Sequence, residues 1–148
     1  MVVNYHWQKL IMLTHVHHIN FLVQDLEEAV ARYKALLGVN RSSFIFDQLP
    51  TRNVSIARIK LGETWLVLVQ PNSDAGLPAE HLKKHGEGFF LLSLGCDDLD
   101  HEIRRIESES DIGFTTPERE GVDGWRIRDL EKTLFNEVQI QLTETRSK

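Results

Sequence analysis

The feature that most constrains this chain is a local pattern written twice. Ile19-Asn20-Phe21-Leu22-Val23 alternates like a strand and runs into Asp25-Leu26-Glu27-Glu28. Phe89 to Cys96 is a second strand-like run, and it meets Asp97-Asp98-Leu99-Asp100. Asp25 suits an N-cap, and Glu28 stands three residues later, where a capping box wants it. Leu26, Val30, Tyr33 and Leu37 then recur at helical spacing, and Gly38 supplies the stop. Leu99, Ile103 and Ile106 mark one face of the second helix. Laying Asp25-Leu26-Glu27 on Asp98-Leu99-Asp100 gives an offset of 73 residues, about half of the 148. That spacing implies an internal duplication.

Each helix leads into more strand-like sequence. In the first half the predicted strands are Ser42 to Phe46, Val54 to Leu61 and Trp65 to Gln70, with turns at Asp47 to Asn53 and at Gly62-Glu63. In the second half Gly113 to Thr115 opens a strand, Trp125 to Leu130 forms the next, and Val138 to Thr143 the last. Both halves therefore read βαβββ. The expected organisation is an N-terminal extension over residues 1–15, then one domain over 16–148 built of repeats 16–71 and 88–144. The linker 72–87 contains a short helical piece from Ala79 to His85.

Composition excludes several classes. The net charge of −5 disfavours a polyphosphate partner, so no nucleic acid is expected. Cys96 is the one cysteine, which rules out an internal disulfide and a multi-thiolate metal site. No apolar run approaches the roughly 20 residues of a membrane span. The expectation is a soluble, cytoplasmic, homodimeric protein with no membrane partner.

Strand alternation sorts the side chains. His18, Asn20 and Leu22 share one face, while Ile19, Phe21 and Val23 form a wholly apolar face suited to packing on helices. Gln139, Gln141 and Thr143 likewise oppose Ile140 and Leu142, and Ser93 opposes Leu92, Leu94 and Cys96. The face away from the core thus collects His18, Asn20, Ser93, Gln139, Gln141 and Thr143, with Trp65, Val67, Phe89 and Leu91 as an apolar wall. A polar lining with an apolar wall suits a small organic ligand.

A duplicated βαβββ unit with Val16-His17-His18-Ile19 followed by Asp25-Leu26-Glu27-Glu28-Ala29 resembles the vicinal oxygen chelate superfamily of glyoxalases, bleomycin-resistance proteins and extradiol dioxygenases. Residues 81–88, 124–127 and 139–142 extend the resemblance toward the methylmalonyl-CoA epimerase branch. The resemblance implies an α+β fold: two tandem βαβββ modules forming a U-shaped, partly closed mixed sheet with helices on the convex side. It also implies one divalent metal (zinc, cobalt, nickel, manganese or iron) held by four side chains. His18 and Gln141 stand at two of those places. Val67 and Leu91 stand at the other two, and neither side chain has a lone pair to donate. The resemblance therefore implies a degenerate metal site and, on the residues present, no cofactor.

Other groups weigh less. His15 and His17 alternate away from His18 and read as surface or interface residues. Arg58 and Lys60, and Arg126 and Arg128, alternate in equivalent places, and Arg58 or Arg128 could pair with an anionic ligand. Asp47, Glu63, Glu118 and Glu120 are loop acids that could replace a catalytic carboxylate, because the amide of Gln141 cannot exchange a proton near neutral pH. Cys96 falls on the core side and is expected to be inert. The residues around His81 and His85 read as a helix-cap region. The leading expectation is a protein that binds a small anionic or aromatic molecule through Asn20, Trp65, Phe89, Ser93, Arg128 and Gln139, without standard metal-dependent catalysis. The alternative is a metal-dependent epimerase or lyase of the methylmalonyl-CoA epimerase or glyoxalase I type, using His18 and Gln141. A non-catalytic accessory subunit is the third reading.

Overall fold

The structure is a computed structural model and describes residues 13–115 and 117–145. Residues 1–12 of the expected N-terminal extension lie outside the described residues. In chain order the elements are β1 (Leu13–Leu22), α1 (Leu26–Leu37), β2 (Ile45–Leu49), β3 (Val54–Leu61), β4 (Thr64–Pro71), α2 (Leu77–His85), β5 (Gly88–Cys96), α3 (Leu99–Glu109), β6 (Arg119–Glu120), β7 (Arg126–Asp129) and β8 (Gln139–Glu144). The order is βαβββ, a connecting helix, and βαβββ again. The fold is α+β, as the resemblance implied.

The chain divides into two compact units, and the division runs through β1 and β5. The first unit holds residues 18–92; the second joins the residues before 18 to those after 92. In the first unit the strands follow the order β2-β3-β4-β1. β1 runs parallel to β4, from His18 opposite Trp65 to Leu22 opposite Val69, whereas β2–β3 and β3–β4 are antiparallel. In the second unit the order is β5-β8-β7-β6, with β6–β7 and β7–β8 antiparallel.

Each unit buries one face of its sheet under its helix. In the first, Leu26, Ala29 and Val30 of α1 pack with Ala57, Ile59 and Leu68, and Phe21 and Leu66 join them. In the second, Leu99, Ile103 and Ile106 of α3 pack with Cys96, Leu130 and Leu142. A fully buried leucine such as Leu68 or Leu99 contributes about 1.5–3 kcal/mol of hydrophobic stabilisation. Burial also pushes the Cys96 thiol up to about 12, with Glu144, Glu102, Asp97 and Asp98 adding to the effect.

The helix starts repeat in detail. The Asp25 carboxylate accepts from the Glu28 N–H at 3.1 Å, and the Asp98 carboxylate from the His101 N–H at 3.0 Å. A second device was not visible in the sequence. The Leu26 N–H donates to Gln70 Oε1 at 2.8 Å, and the Leu99 N–H to Glu144 Oε1 at 2.8 Å. The last strand of each module thus pins the first turn of its helix. Gly38, at φ 69°, ends α1 in the left-handed region that glycine adopts without strain.

Two expected boundaries moved, and one residue expected at the surface or an interface is buried. Residues Arg41–Ser43 form a 3-10 turn, so β2 starts at Ile45 and carries Asp47, which the sequence reading placed in a turn. Residues 113–115 make only a single bridge, Phe114 to Leu130, and the third-from-last strand is instead the short β6 at Arg119–Glu120. His17 is 3% exposed rather than a surface residue. It sits edge-on to Trp125 at 4.5 Å, and its Nε2 is hydrogen-bonded with the Thr145 hydroxyl at 2.6 Å. An apolar-facing position whose imidazole finds a ring and a hydroxyl can be buried without penalty.

Candidate functional site

The first unit carries a charged site on the face away from α1. Residues paired across strands project to the same side, so Asn20, Val67 and Arg58 form one row and His18, Trp65 and Lys60 the next. Arg58 is 5% exposed. Its Nε donates to Asp47 Oδ2 at 3.0 Å, and its guanidinium lies over the Trp65 ring at 4.4 Å. A desolvated guanidinium needs such compensation, and a carboxylate together with an indole face provides it. Asp47 is the more open partner, with 30% of its side chain exposed. Asn20 Oδ1 is buried without a hydrogen-bond partner. His18, Val67 and Leu91 are each 3% exposed.

The second unit carries a neutral network. Asp129 stands directly across from Gln141, and Ile127 from Thr143. The Asp129 carboxylate accepts from Arg119 Nε at 2.8 Å and Nη2 at 3.2 Å, a two-pronged grip. It also accepts from Gln141 Nε2 at 3.0 Å and Gln139 Nε2 at 3.4 Å. Beside them the Ser93 and Thr143 hydroxyls are 2.5 Å apart and fully buried. Gln141 is 0% exposed, yet its Oε1 has no partner. An unpaired buried carbonyl of this kind costs about 1–3 kcal/mol, so a native chain that keeps one has a use for it or fills it.

Two expected ligand-binding residues sit elsewhere. Arg128 pairs with Leu142 on the helix-facing side, and its guanidinium lies over Phe114 at 5.0 Å, so it does not share a face with Gln141. Phe89 is 46% exposed, and its ring meets Phe21, a helix-side residue, edge-on at 6.2 Å. Neither displacement could be read from alternation alone, because Arg128 depends on hairpin register and Phe89 on how a strand end turns. Asn20 and Trp65 lie on the charged face of the first unit, while Ser93 and Gln139 belong to the network of the second.

The remaining candidates resolve into structure. Arg126 binds Glu118, Glu144 and Asp100. The hydrogen bond to Glu118 raises its pKa most; burial opposes that, and the bonds to Glu144 and Asp100 add to it. Glu118 is thereby an ion-pair partner, Glu63 lies in the exposed turn between β3 and β4, and Glu120 is exposed. Asp47 is the candidate acid that reaches the site face. Sequence reasoning missed Arg119 and Asp129. That Asp129 shares a face with Ile127 follows from alternation, but its alignment on Gln141 does not.

The residues present do not fit a divalent ion held by four side chains. Among the described residues no group of three or more His, Cys, Asp or Glu side chains is gathered as a metal would need. Val67 and Leu91 are buried hydrocarbons, and Asp129 is already neutralised by Arg119. His18 and Gln141 are the donors left from the expected set.

A duplicated βαβββ fold with polar side chains gathered on the sheet face opposite each helix defines a glyoxalase-like protein. The profile of the Glyoxalase/Bleomycin resistance protein/Dioxygenase superfamily matches residues 17–128, and the chain belongs to that superfamily. Within it the chain is similar to the mitochondrial methylmalonyl-CoA epimerase of Homo sapiens, at 28% identity over 110 residues, covering 68% of this chain and 61% of that protein. The chain therefore spans less than two thirds of the length of that curated relative. A solved Streptomyces coelicolor methylmalonyl-CoA epimerase variant in complex with 2-nitronate-propionyl-CoA is 25% identical, with a TM-score of 0.83 over 91% of this chain and 99% of that one. The Mycobacterium tuberculosis methylmalonyl-CoA epimerase, 23% identical over 92% of this chain and 91% of that one, has a TM-score of 0.82 and shows the shared fold. No helix among the described residues is long and apolar enough to cross a membrane.

Proposed function

We propose that this chain is an enzyme of the methylmalonyl-CoA epimerase type, exchanging the proton on a carbon next to a CoA thioester. The observation that carries this reading is the likeness, over 91% of the chain, to an epimerase solved with a CoA thioester analogue. It favours the enzyme over a ligand carrier that does no chemistry. Proton removal beside a carbonyl needs a positioned base. Asp47 takes that role: it is a carboxylate on the site face of the first unit, open enough to meet a ligand and held in place by Arg58. No step is assigned to a metal, because the donor set does not fit one.

The test is deuterium wash-in. The full chain, incubated with methylmalonyl-CoA in deuterated buffer, incorporates one deuterium at the carbon between the two carbonyls, read by mass spectrometry. Asp47→Asn keeps the shape and lowers the rate by about 10²-fold or more, the usual contribution of a general base. Wash-in no faster than in buffer alone overturns the enzyme reading. If calorimetry then still shows binding of the thioester, the carrier reading takes its place; Val67 and Leu91, in positions that cannot donate, favour that second reading. The homodimer belongs to the same proposal and is read by the mass in solution.

A further inference from the structure

Gln141 has an amide whose two ends are treated differently. Its Nε2 donates to Asp129 Oδ1 at 3.0 Å, while Oε1, fully buried, has no partner. Amide orientation is normally a matter of assignment, but here the chemistry decides it. Asp129 is gripped by Arg119 through two nitrogens, at 2.8 and 3.2 Å. An ionised carboxylate only accepts hydrogen bonds, so the NH2 end of Gln141 must face it and the oxygen must point the other way. Turning the amide over would set two acceptors against each other in a buried place.

We propose that Arg119 and Asp129 are positioning residues that lock Gln141, making its Oε1 a fixed acceptor for a neutral hydrogen-bond donor, an amide N–H or a hydroxyl, on the bound ligand. Charge decides between that donor and a cation. Arg119 cancels Asp129, and the polar groups beside them, Gln139, Ser93 and Thr143, are all neutral. A divalent ion leaving water wants anionic oxygens, and this network offers it no net negative charge. A carboxylate or phosphate is refused for the opposite reason, because it would meet a carbonyl lone pair. The inference concerns what position 141 binds and stands whether or not the chain is an epimerase.

The experiment follows the Gln141 side-chain amide by NMR in the 15N-labelled full chain, its peaks identified by their loss in Gln141→Leu. The wild-type amide protons exchange with water at least tenfold more slowly than those of the exposed Gln24 and Gln48. Asp129→Asn and Arg119→Gln remove that protection while the backbone spectrum keeps its dispersion. Pantetheine, a neutral probe with amide N–H and hydroxyl donors, shifts the Gln141 peaks, and manganese(II) does not broaden them selectively. Fast exchange in the wild type, protection unchanged by Asp129→Asn, no shift with pantetheine, or selective broadening by manganese would each overturn the proposal. Should the variants unfold, the wild-type exchange and the two titrations still decide it. Failure of the epimerase reading looks different: pantetheine moves the peaks and no deuterium is incorporated.

Discussion

The two units solve one geometric problem with opposite charges. In the first, Arg58 stands across from Val67 and pairs diagonally with Asp47 on the outer strand. In the second, Asp129 stands across from Gln141 and pairs diagonally with Arg119 on the outer strand. Asp47 lies opposite Ile56, two residues before Arg58; Arg119 lies opposite Ile127, two residues before Asp129. The pair occupies the same places in both modules, and its sign is reversed. The duplication has kept the diagonal ion pair, which is what burial requires, and let the buried member differ. One unit thereby hides a cation beside a hydrocarbon, the other an anion beside an amide. The member left more open is the Asp47 carboxylate in the first unit and the Arg119 guanidinium in the second.

Removing the outer partner tests whether the pairs are equivalent, and carries the largest expected effect. Arg119→Ala strands the Asp129 carboxylate and costs about 3–5 kcal/mol, read by urea denaturation. Asp47→Ala costs less, because Trp65 still covers the Arg58 guanidinium. A larger loss for Asp47→Ala would break the comparison. The cores come next: Leu68→Ala and Leu142→Ala, both almost fully buried beneath their helices, each lose about 2–5 kcal/mol, and unequal losses would show which unit packs more rigidly. The caps are smaller and should match, with Asp25→Ala and Asp98→Ala each costing about 1 kcal/mol in thermal melts.

The thiol separates the units most finely, since only the second contains one. Burial raises its pKa from the ordinary 9.0 to about 12, so at pH 8 the native thiolate is scarce. Cys96 should then fail to react with a disulfide reagent until the protein unfolds. The unfolded thiol ionises first as pH rises, so stability falls between 9.0 and about 12, and Cys96→Ala removes that part of the slope. An unchanged slope would show that the other groups titrating in that range, lysines and tyrosines, and not the thiol, govern alkaline stability.

Much of this was legible in the sequence. Asp25 and Asp98, with the apolar spacing behind them, fixed both helix starts, since caps and periodicity act within a few residues. Alternation separated His18, Asn20 and Gln141 from Phe21 and Leu142 correctly, because a strand's two faces follow from its backbone. It misjudged Asp47, which belongs to β2, and the first strand after α3, where two residues of pairing leave no pattern to detect. Alternation away from His18 reads His17 as a surface or interface residue, yet an indole and a hydroxyl beside the imidazole bury it within the second unit.

What the sequence alone determined was the duplicated βαβββ order, the caps, the core faces and the absence of donors at positions 67 and 91, all properties of neighbouring residues or of single side chains. What only the tertiary structure decided was pairing: Gln70 and Glu144 on the helix starts, Arg58 on Asp47, and Arg119 through Asp129 on Gln141. These contacts join residues 10 to 45 positions apart in the chain. They depend on which residue faces which across a hairpin, and one step of register exchanges the two faces of a strand.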